Sequence, residues 1–244
     1  MTASSRIKEK GDGHPSPEKR TGDRGGSVPP ERTLMRRELE HFYIDYSYGG
    51  NQDWFRTFMM RLGGCGAETA CDSSLYFALH RGIEGIYPFD AENLSKREYV
   101  DFAHMMEKYL WPRLSGIDKL SIYIDGYSKY LSDRGVTCIS MDTLDGSEPY
   151  EKVAATIKKQ IDEGYPVPTL ILNHKDRELK DYVWHWFLIN GYDEKDGTAD
   201  SPEEGTMMVK TVTYSGFQWF DLRILWDTGY NNKGGFVLYR LNED

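Results

Sequence analysis

Cysteine is scarce in this sequence: Cys65, Cys71 and Cys138 are the only three among 244 residues. A set so sparse and odd in number does not form the disulfide framework of a small secreted protein. We therefore expect free thiols in a reducing compartment and predict a cytoplasmic protein. Secretion fits the composition only if a signal has been removed.

Long apolar runs are also missing. No uninterrupted apolar stretch approaches the roughly 20 residues of a membrane-spanning helix, and the first residues lack the apolar core of a secretory signal. The formal net charge is −9, and this acidic balance argues against generic nucleic-acid binding. We expect neither a membrane span nor a nucleic-acid partner.

Motifs that hold cofactors are absent from the sequence. It contains no phosphate-cradling glycine loop and no dinucleotide-binding fingerprint. Several aspartates are spread along the chain without metal-site spacing: Asp90, Asp101, Asp125, Asp193 and Asp227. The sequence therefore predicts no cofactor and no bound metal.

Residues 1–38 differ in composition from the rest of the chain. They are rich in Lys, Arg, Glu, Gly, Ser and Pro, with almost no large apolar residue before Leu34. Such a segment cannot bury enough surface to offset the entropy lost on ordering. We predict a disordered or flexible tail over residues 1–38 and a single domain over residues 39–244.

Apolar spacing predicts helices in the first part of this domain and strands in the second. Helices are predicted over residues 53–62, from Cys65 to His80, and over 95–110, 117–131 and 150–163. Strands are predicted over residues 136–141, 167–172, 182–191, 207–214 and 235–241, with a short helix over 217–225. Helices followed by strands indicate an α+β fold with an antiparallel sheet.

The most informative stretch is Gly63-Gly64-Cys65-Gly66, at the start of a predicted helix. A thiol at a helix N-terminus meets aligned backbone N–H dipoles, which favour the thiolate and lower its pKa. The glycines allow a sharp turn and a close approach of a substrate carbonyl. An isolated cysteine is more often a buried structural residue, and Cys71 and Cys138 fit that role. The glycines around Cys65 instead favour a role for this residue as a catalytic nucleophile.

His185 and Gln52 are candidates for a base and an oxyanion donor. His185 lies in an apolar, β-like run, where its ring needs a hydrogen-bond partner that a thiolate would supply. The side-chain amide of Gln52, with the backbone N–H of Cys65, would form an oxyanion hole. Taken singly, His185 fits a satisfied core histidine and Gln52 fits a solvated turn residue. Together with Cys65 they predict a cysteine hydrolase.

Three patches, in this chain order, resemble the C39-like branch of the papain-fold cysteine peptidases. They are Gln52-Asp53-Trp54, Gly64-Cys65-Gly66 opening a helix, and the run from His185-Trp186-Phe187 to Gly191-Tyr192-Asp193. The resemblance implies a papain-like cysteine proteinase fold, with the Cys on the helical part and the His on the antiparallel sheet. It implies Cys65 as nucleophile, His185 as general base and acid, and Gln52 as oxyanion donor. The implied substrate is a peptide or protein, cleaved at a peptide or isopeptide bond.

Two departures from the family pattern bear on activity. Many relatives have proline after Gly-Cys-Gly, where this chain has Ala67-Glu68, and the Glu68 charge tends to raise the pKa of the thiol. The strand after the His has neither the Asp nor the Asn that usually orients the imidazole. Thr213, Ser215 and Asp221 are the alternatives for that role.

The incomplete triad leaves two other functions open. One is a catalytically weak or inactive papain-like module that only binds a peptide. The other keeps the chemistry and changes the acceptor, which gives an amidase or a transglutaminase-like acyl transferase. The sequence makes no prediction about the oligomeric state.

Overall fold

Helices occupy most of the first half of the chain and strands most of the second. The computed structural model describes residues 35–113, 116–195 and 206–242. The helices are α1 (Phe58–Gly63), α2 (Cys65–Arg81), α3 (Lys96–Met106), α4 (Leu120–Asp133), α5 (Tyr150–Asp162) and α6 (Leu222–Trp226). The strands are β1 (Arg36–Glu38), β2 (Tyr43–Ile44), β3 (Ser47–Tyr48), β4 (Ile139–Asp145), β5 (Val167–Ile171), β6 (His185–Lys195), β7 (Thr206–Thr213), β8 (Gly216–Asp221) and β9 (Gly234–Leu241).

The larger sheet is built from antiparallel pairs. Its strand order is β4-β9-β5-β6-β7-β8, and β1 also pairs with β6. Strands β2 and β3 form a small separate hairpin. The combination of helices with an antiparallel sheet confirms the α+β class that the sequence predicted.

Helix α2 lies in the core. Every residue from Cys65 to Phe77 is buried, and the helix packs against β6 and α3. Small side chains such as Ala67 and Ala70 let neighbouring elements approach closely. The first residue of α2 therefore lies in the part of the helix that packs inside the core.

Local capping signals set the ends of α3 and α5. The Ser95 hydroxyl oxygen accepts the Glu98 backbone N–H at 3.2 Å, and the same hydroxyl donates to the Glu98 carboxylate at 2.7 Å. This reciprocal pair is the predicted helix start. Helix α5 ends just before Gly164, which has a φ of 79°. A left-handed residue after a helix is a common stop and favours glycine.

Two predictions about the late part of the chain are wrong. Residues 217–225 were expected to be helical, but β8 runs to Asp221 and only Leu222–Trp226 is a helix. The strand expected from residue 182 begins at His185, because Arg177–Tyr182 forms a 3₁₀ turn and Trp184 has a left-handed φ of 54°. The residues with left-handed backbone at these turns are Trp184, Tyr214 and Ser215, rather than the glycine or asparagine that usually occupies such positions.

The last three residues of the predicted tail, 36–38, form strand β1 of the described structure. Strand β1 pairs Arg36, Arg37 and Glu38 with β6. The Glu38 carboxylate also accepts a 2.8 Å hydrogen bond from the buried ammonium of Lys210. Residues 1–34, the rest of the predicted tail, lie outside the described residues.

Candidate active site

Cys65 is the first residue of α2, and its thiol is almost completely buried at 4% exposure. The backbone N–H groups of Trp186, Gly66 and Cys65 itself face the sulfur, and each lowers the pKa of the thiol. Burial and the charge of Glu68 outweigh them, so the pKa rises to about 11. The N–H groups at the helix terminus act in the expected direction, but desolvation disfavours the thiolate more than they favour it, so the net shift of the pKa is upward.

The glycines around Cys65 are required by close packing within the protein. A Cβ on Gly64 would lie 2.3 Å from the Met60 carbonyl oxygen, and one on Gly66 would lie 2.9 Å from Ile117 Cδ1. The indole of Trp186 donates a 2.7 Å hydrogen bond to the Ile117 carbonyl, which holds that residue over the start of α2. The space at these glycines is thus taken up by the chain itself rather than left open to a substrate.

His185 opens strand β6 and is buried at 3% exposure. Its Nε2 lies 2.7 Å from Thr213 Oγ1. Its ring stacks on Tyr214 with centroids 4.6 Å apart and planes inclined by 4°. Burial lowers the pKa of the imidazole to about 3, because no charged partner offsets the loss of solvation.

Of the three alternatives for orienting His185, Thr213 is the residue in contact with the ring. Ser215 uses its hydroxyl to accept from the Asn51 side chain at 3.1 Å. Asp221 caps α6, where its carboxylate accepts the Arg223 backbone N–H at 2.7 Å. The ring therefore has a hydroxyl neighbour in place of the usual Asp or Asn.

The start of α2 packs against the residue that follows His185. A Cβ on Gly66, next to Cys65, would lie 3.6 Å from Trp186 Cδ1. Tyr214, stacked on His185, has a raised pKa, for which burial is the largest cause and Cys65 the next. The residues next to Cys65 and His185 thus lie close together between α2 and β6.

Gln52 lies in a 3₁₀ turn, Gln52–Trp54, next to α2. Its side-chain Nε2 donates to the Arg61 carbonyl at 3.0 Å, so one of its two N–H bonds is already used. Its Oε1 is buried and has no hydrogen-bond partner among the described residues. Its backbone N–H donates to the Glu68 carboxylate at 3.0 Å. The amide predicted to hold an oxyanion is therefore partly committed within the protein.

Two buried carboxyl groups, Glu68 and Asp72, lie one turn apart on α2. Asp72 accepts the Gly50 backbone N–H at 3.1 Å and the Tyr99 hydroxyl at 2.7 Å. Burial raises the pKa of Asp72 to about 7, and burial together with the charge of Asp72 raises that of Glu68. Glu68 was predicted only to act as a charge and Asp72 was not predicted to take part, although acids at i and i+4 share a helix face.

The loop that carries Gln52 also binds the turn that carries Tyr214. The Ser215 N–H donates to the Gly50 carbonyl at 2.9 Å, and the Tyr48 N–H donates to the Ser215 carbonyl at 3.2 Å. Since Gly50 is held by Asp72, one hydrogen-bonded path connects the helix of Cys65 to the turn beside His185.

The turn between β7 and β8 has an unusual backbone. Thr213 pairs with Gly216, and the two loop residues, Tyr214 and Ser215, have φ of 51° and 63°. A two-residue turn of this kind favours Asn-Gly. A tyrosine there costs on the order of 1–3 kcal/mol, and such strain persists only where the surroundings enforce it. The bonds of Ser215 to Gly50, Tyr48 and Asn51 supply that enforcement.

Metal binding and membrane insertion find no support in the described ranges, 35–113, 116–195 and 206–242. Within them, no three His, Cys, Asp or Glu side chains are grouped so that they could hold a metal ion. No helix in these ranges combines the length and apolar character needed to cross a bilayer.

No protein-family model, curated protein or solved structure matches the chain. Its function therefore has to be inferred from the site itself.

Proposed function

We propose that the protein is a cysteine hydrolase with a papain-like arrangement, and that it cleaves a peptide or isopeptide bond. The observation that carries the proposal is the close packing of Gly66 against Trp186, where a Cβ on Gly66 would lie 3.6 Å from Trp186 Cδ1, because it joins the start of α2 to the residue after His185. A nucleophile from the helical part and a base from the sheet then meet at one point.

The raised pKa of Cys65 and the lowered pKa of His185 make both groups neutral at pH 7. The reaction therefore begins from a thiol and an imidazole rather than from an ion pair. His185 Nδ1 takes the thiol proton as the sulfur attacks the substrate carbonyl, in general-base catalysis. The N–H of Cys65 and the remaining N–H of Gln52 bind the oxyanion.

Collapse of the tetrahedral intermediate breaks the C–N bond. His185 returns its proton to the leaving amine, and the acyl group stays on Cys65 as a thioester. Water then adds to the thioester while His185 accepts one of its protons. Release of the carboxylic acid restores the thiol, so that the enzyme ends the cycle unchanged.

Labelling of the three cysteines tests the proposal. Exposure alone predicts that Cys138, which is half-buried, reacts before Cys65 and the fully buried Cys71. We expect this order with iodoacetamide. A peptide bearing a C-terminal aldehyde or vinyl sulfone should instead react first at Cys65, because only there can a base and N–H donors assist.

The matched variants are His185→Ala, which should abolish the preference for Cys65, and Cys138→Ser, which should leave it intact. Reaction at Cys138 first with both reagents would contradict the hydrolase. If Cys65 does react first with the peptide reagent, incubation with a peptide library identifies the reaction. New peptide termini indicate a peptidase, and release of ammonia indicates an amidase or a transglutaminase-like enzyme.

A peptide-binding module without catalysis is the second candidate. The observation in its favour is the neutral state of both groups, since burial removes the charge that would activate a free nucleophile. It predicts saturable peptide binding that Cys65→Ser and His185→Ala leave unchanged, with no covalent product.

A further inference from the structure

Tyr214 covers His185 from the solvent side. The Tyr214 side chain is 40% exposed, whereas the imidazole beneath it is only 3% exposed. The two rings are nearly parallel, at 4°, with a centroid separation of 4.6 Å. An offset stack of this kind removes water from one face of the imidazole.

The hydroxyl of Tyr214 lies 3.4 Å from His185 Nδ1. A phenol oxygen lies in the plane of its own ring, and that plane runs parallel to the imidazole. The oxygen therefore lies over the face of the imidazole, while the lone pair of Nδ1 lies within the imidazole plane. At this distance and direction the Tyr214 hydroxyl does not donate a hydrogen bond to the lone pair of Nδ1.

The other ring nitrogen has a well-placed partner. Nε2 is 2.7 Å from Thr213 Oγ1, a normal hydrogen-bond length. With the ring proton on Nε2, this N–H donates to Thr213, and Nδ1 keeps a free lone pair. The start of α2 packs beside this ring, since a Cβ on Gly66, the residue after Cys65, would lie 3.6 Å from Cδ1 of Trp186, the residue after His185.

The backbone of Tyr214 is held in place at a conformational cost. Its φ of 51° is rare for an aromatic residue. Hydrogen bonds from and to Ser215 join the turn to Gly50 and Tyr48. The stacked ring is thus fixed by the same loop that Asp72 fastens to α2.

We propose that Tyr214 is a positioning residue whose ring, and not its hydroxyl, fixes the imidazole plane and keeps the Nδ1 lone pair available for Cys65. This role rests on the proposed function as a cysteine hydrolase. The placement of the imidazole, however, can be measured without any substrate. The ring acts on His185 alone and makes no bond to the reacting carbonyl.

Three variants separate the ring from the hydroxyl. Tyr214→Phe keeps the ring. Tyr214→Asn removes the ring while suiting the left-handed backbone, since asparagine tolerates positive φ. Tyr182→Phe is the matched control: Tyr182 meets His185 edge-on at 6.4 Å, and its hydroxyl contacts Thr211 rather than the imidazole.

The first measurement is an NMR pH titration of His185 with assignment of its tautomer. In the parent protein, Tyr214→Phe and Tyr182→Phe, we expect a proton on Nε2 and titration far below the ordinary pKa of about 6.5. Tyr214→Asn should admit water and raise the pKa by about 2 units or more. An unchanged pKa in folded Tyr214→Asn overturns the proposal, and so does a Tyr214→Phe variant that behaves like Tyr214→Asn.

The second measurement is the rate at which the peptide vinyl sulfone modifies Cys65. We expect Tyr214→Phe to stay within about threefold of the parent protein and Tyr214→Asn to fall at least tenfold, since a misplaced base loses most of its general-base effect. If His185 titrates as expected but the vinyl sulfone does not modify Cys65 of the parent protein, the proposed hydrolase function is refuted and the positioning role of Tyr214 is retained. If the parent protein reacts and Tyr214→Asn reacts equally well, the positioning role fails alone.

Discussion

Glu68 binds Gln52 through the main chain: its carboxylate accepts the Gln52 backbone N–H at 3.0 Å. Glu68 lies one helical turn after Cys65. The same side chain therefore binds the loop that carries Gln52 and raises the pKa of the candidate nucleophile Cys65. Its charge is a cause, after burial, of the raised pKa of the thiol.

Replacing Glu68 with glutamine should lower the pKa of Cys65 below about 11, by less than about one unit. Glutamine keeps an acceptor oxygen for the Gln52 N–H and removes only the charge. The pKa should stay above the ordinary value of 9.0, since burial is the larger cause. The measurement is the ultraviolet absorbance of the thiolate against pH, with Cys65→Ser as the blank.

Glu84→Gln is the control for this titration, because Glu84 is an exposed carboxylate beyond the end of α2. It should leave the thiol unchanged. Equal pKa values of Cys65 in Glu68→Gln and in the parent protein would refute the electrostatic role of Glu68.

The stability of the protein should depend on pH through Asp72. Its pKa is raised from 3.8 to about 7 by burial, so between these values the folded state keeps a proton that the unfolded chain has lost. This contribution is complete below about pH 4 and is lost as the pH rises through 7. Asp72→Asn cannot titrate, and the difference in unfolding free energy between the two proteins should change by about 4 kcal/mol across this window.

Urea denaturation from pH 4 to 8 measures this difference. Comparison with Asp72→Asn is needed because the buried His185 and His41 act with the opposite sign: burial lowers both of their pKa values to about 3, so they destabilise the fold in acid. Asp125→Asn, at an exposed position on α4, is the control. A constant difference between Asp72→Asn and the parent protein would exclude the proposed proton on Asp72.

Truncation should locate the start of the folded domain. A chain that begins at Met35 retains β1 and the contact of Glu38 with the buried Lys210. One that begins at Leu39 loses both and leaves the ammonium of Lys210 without its carboxylate. We expect the longer chain to be more stable by about 2–4 kcal/mol, because an unpaired buried charge is costly.

Chemical denaturation of both truncated chains checks this expectation, with Lys210→Met in each as the control. Methionine removes the buried charge, so the two chains should then differ by less. If the chains starting at residues 35 and 39 unfold at the same denaturant concentration, β1 is not part of the stable domain.

Features that depend on neighbouring residues could be predicted well. The helices predicted over residues 95–110 and 150–163 correspond to α3 and α5, where Ser95 with Glu98 and Gly164 are the local start and stop signals. The helix at Cys65 was predicted from the glycines beside it. Each of these signals acts within one or two helical turns, so the sequence carries it directly.

The turn at Tyr214 and Ser215 could not be predicted in this way. Its positive φ values are enforced by the hydrogen bond that Ser215 donates to Gly50 and the one that it accepts from Tyr48, both far away in the chain. The apolar spacing of the residues that follow predicted a helix where the structure has strand β8. Thr213 is also far from His185 in the sequence. For that reason the sequence left three residues open as its neighbour, and only the structure shows that Thr213 contacts the ring.

The sequence by itself determined which chemical groups are available and which local elements carry them: a thiol at a helix start, an imidazole on a strand, and an acidic chain with an α+β pattern. Only the tertiary structure decided their charge states and partners. A pKa follows from the water and dipoles that remain around a group after folding, and those are supplied by residues distant in the chain. The helix start alone predicted a reactive thiolate, and burial of the sulfur in the folded protein makes it a neutral thiol.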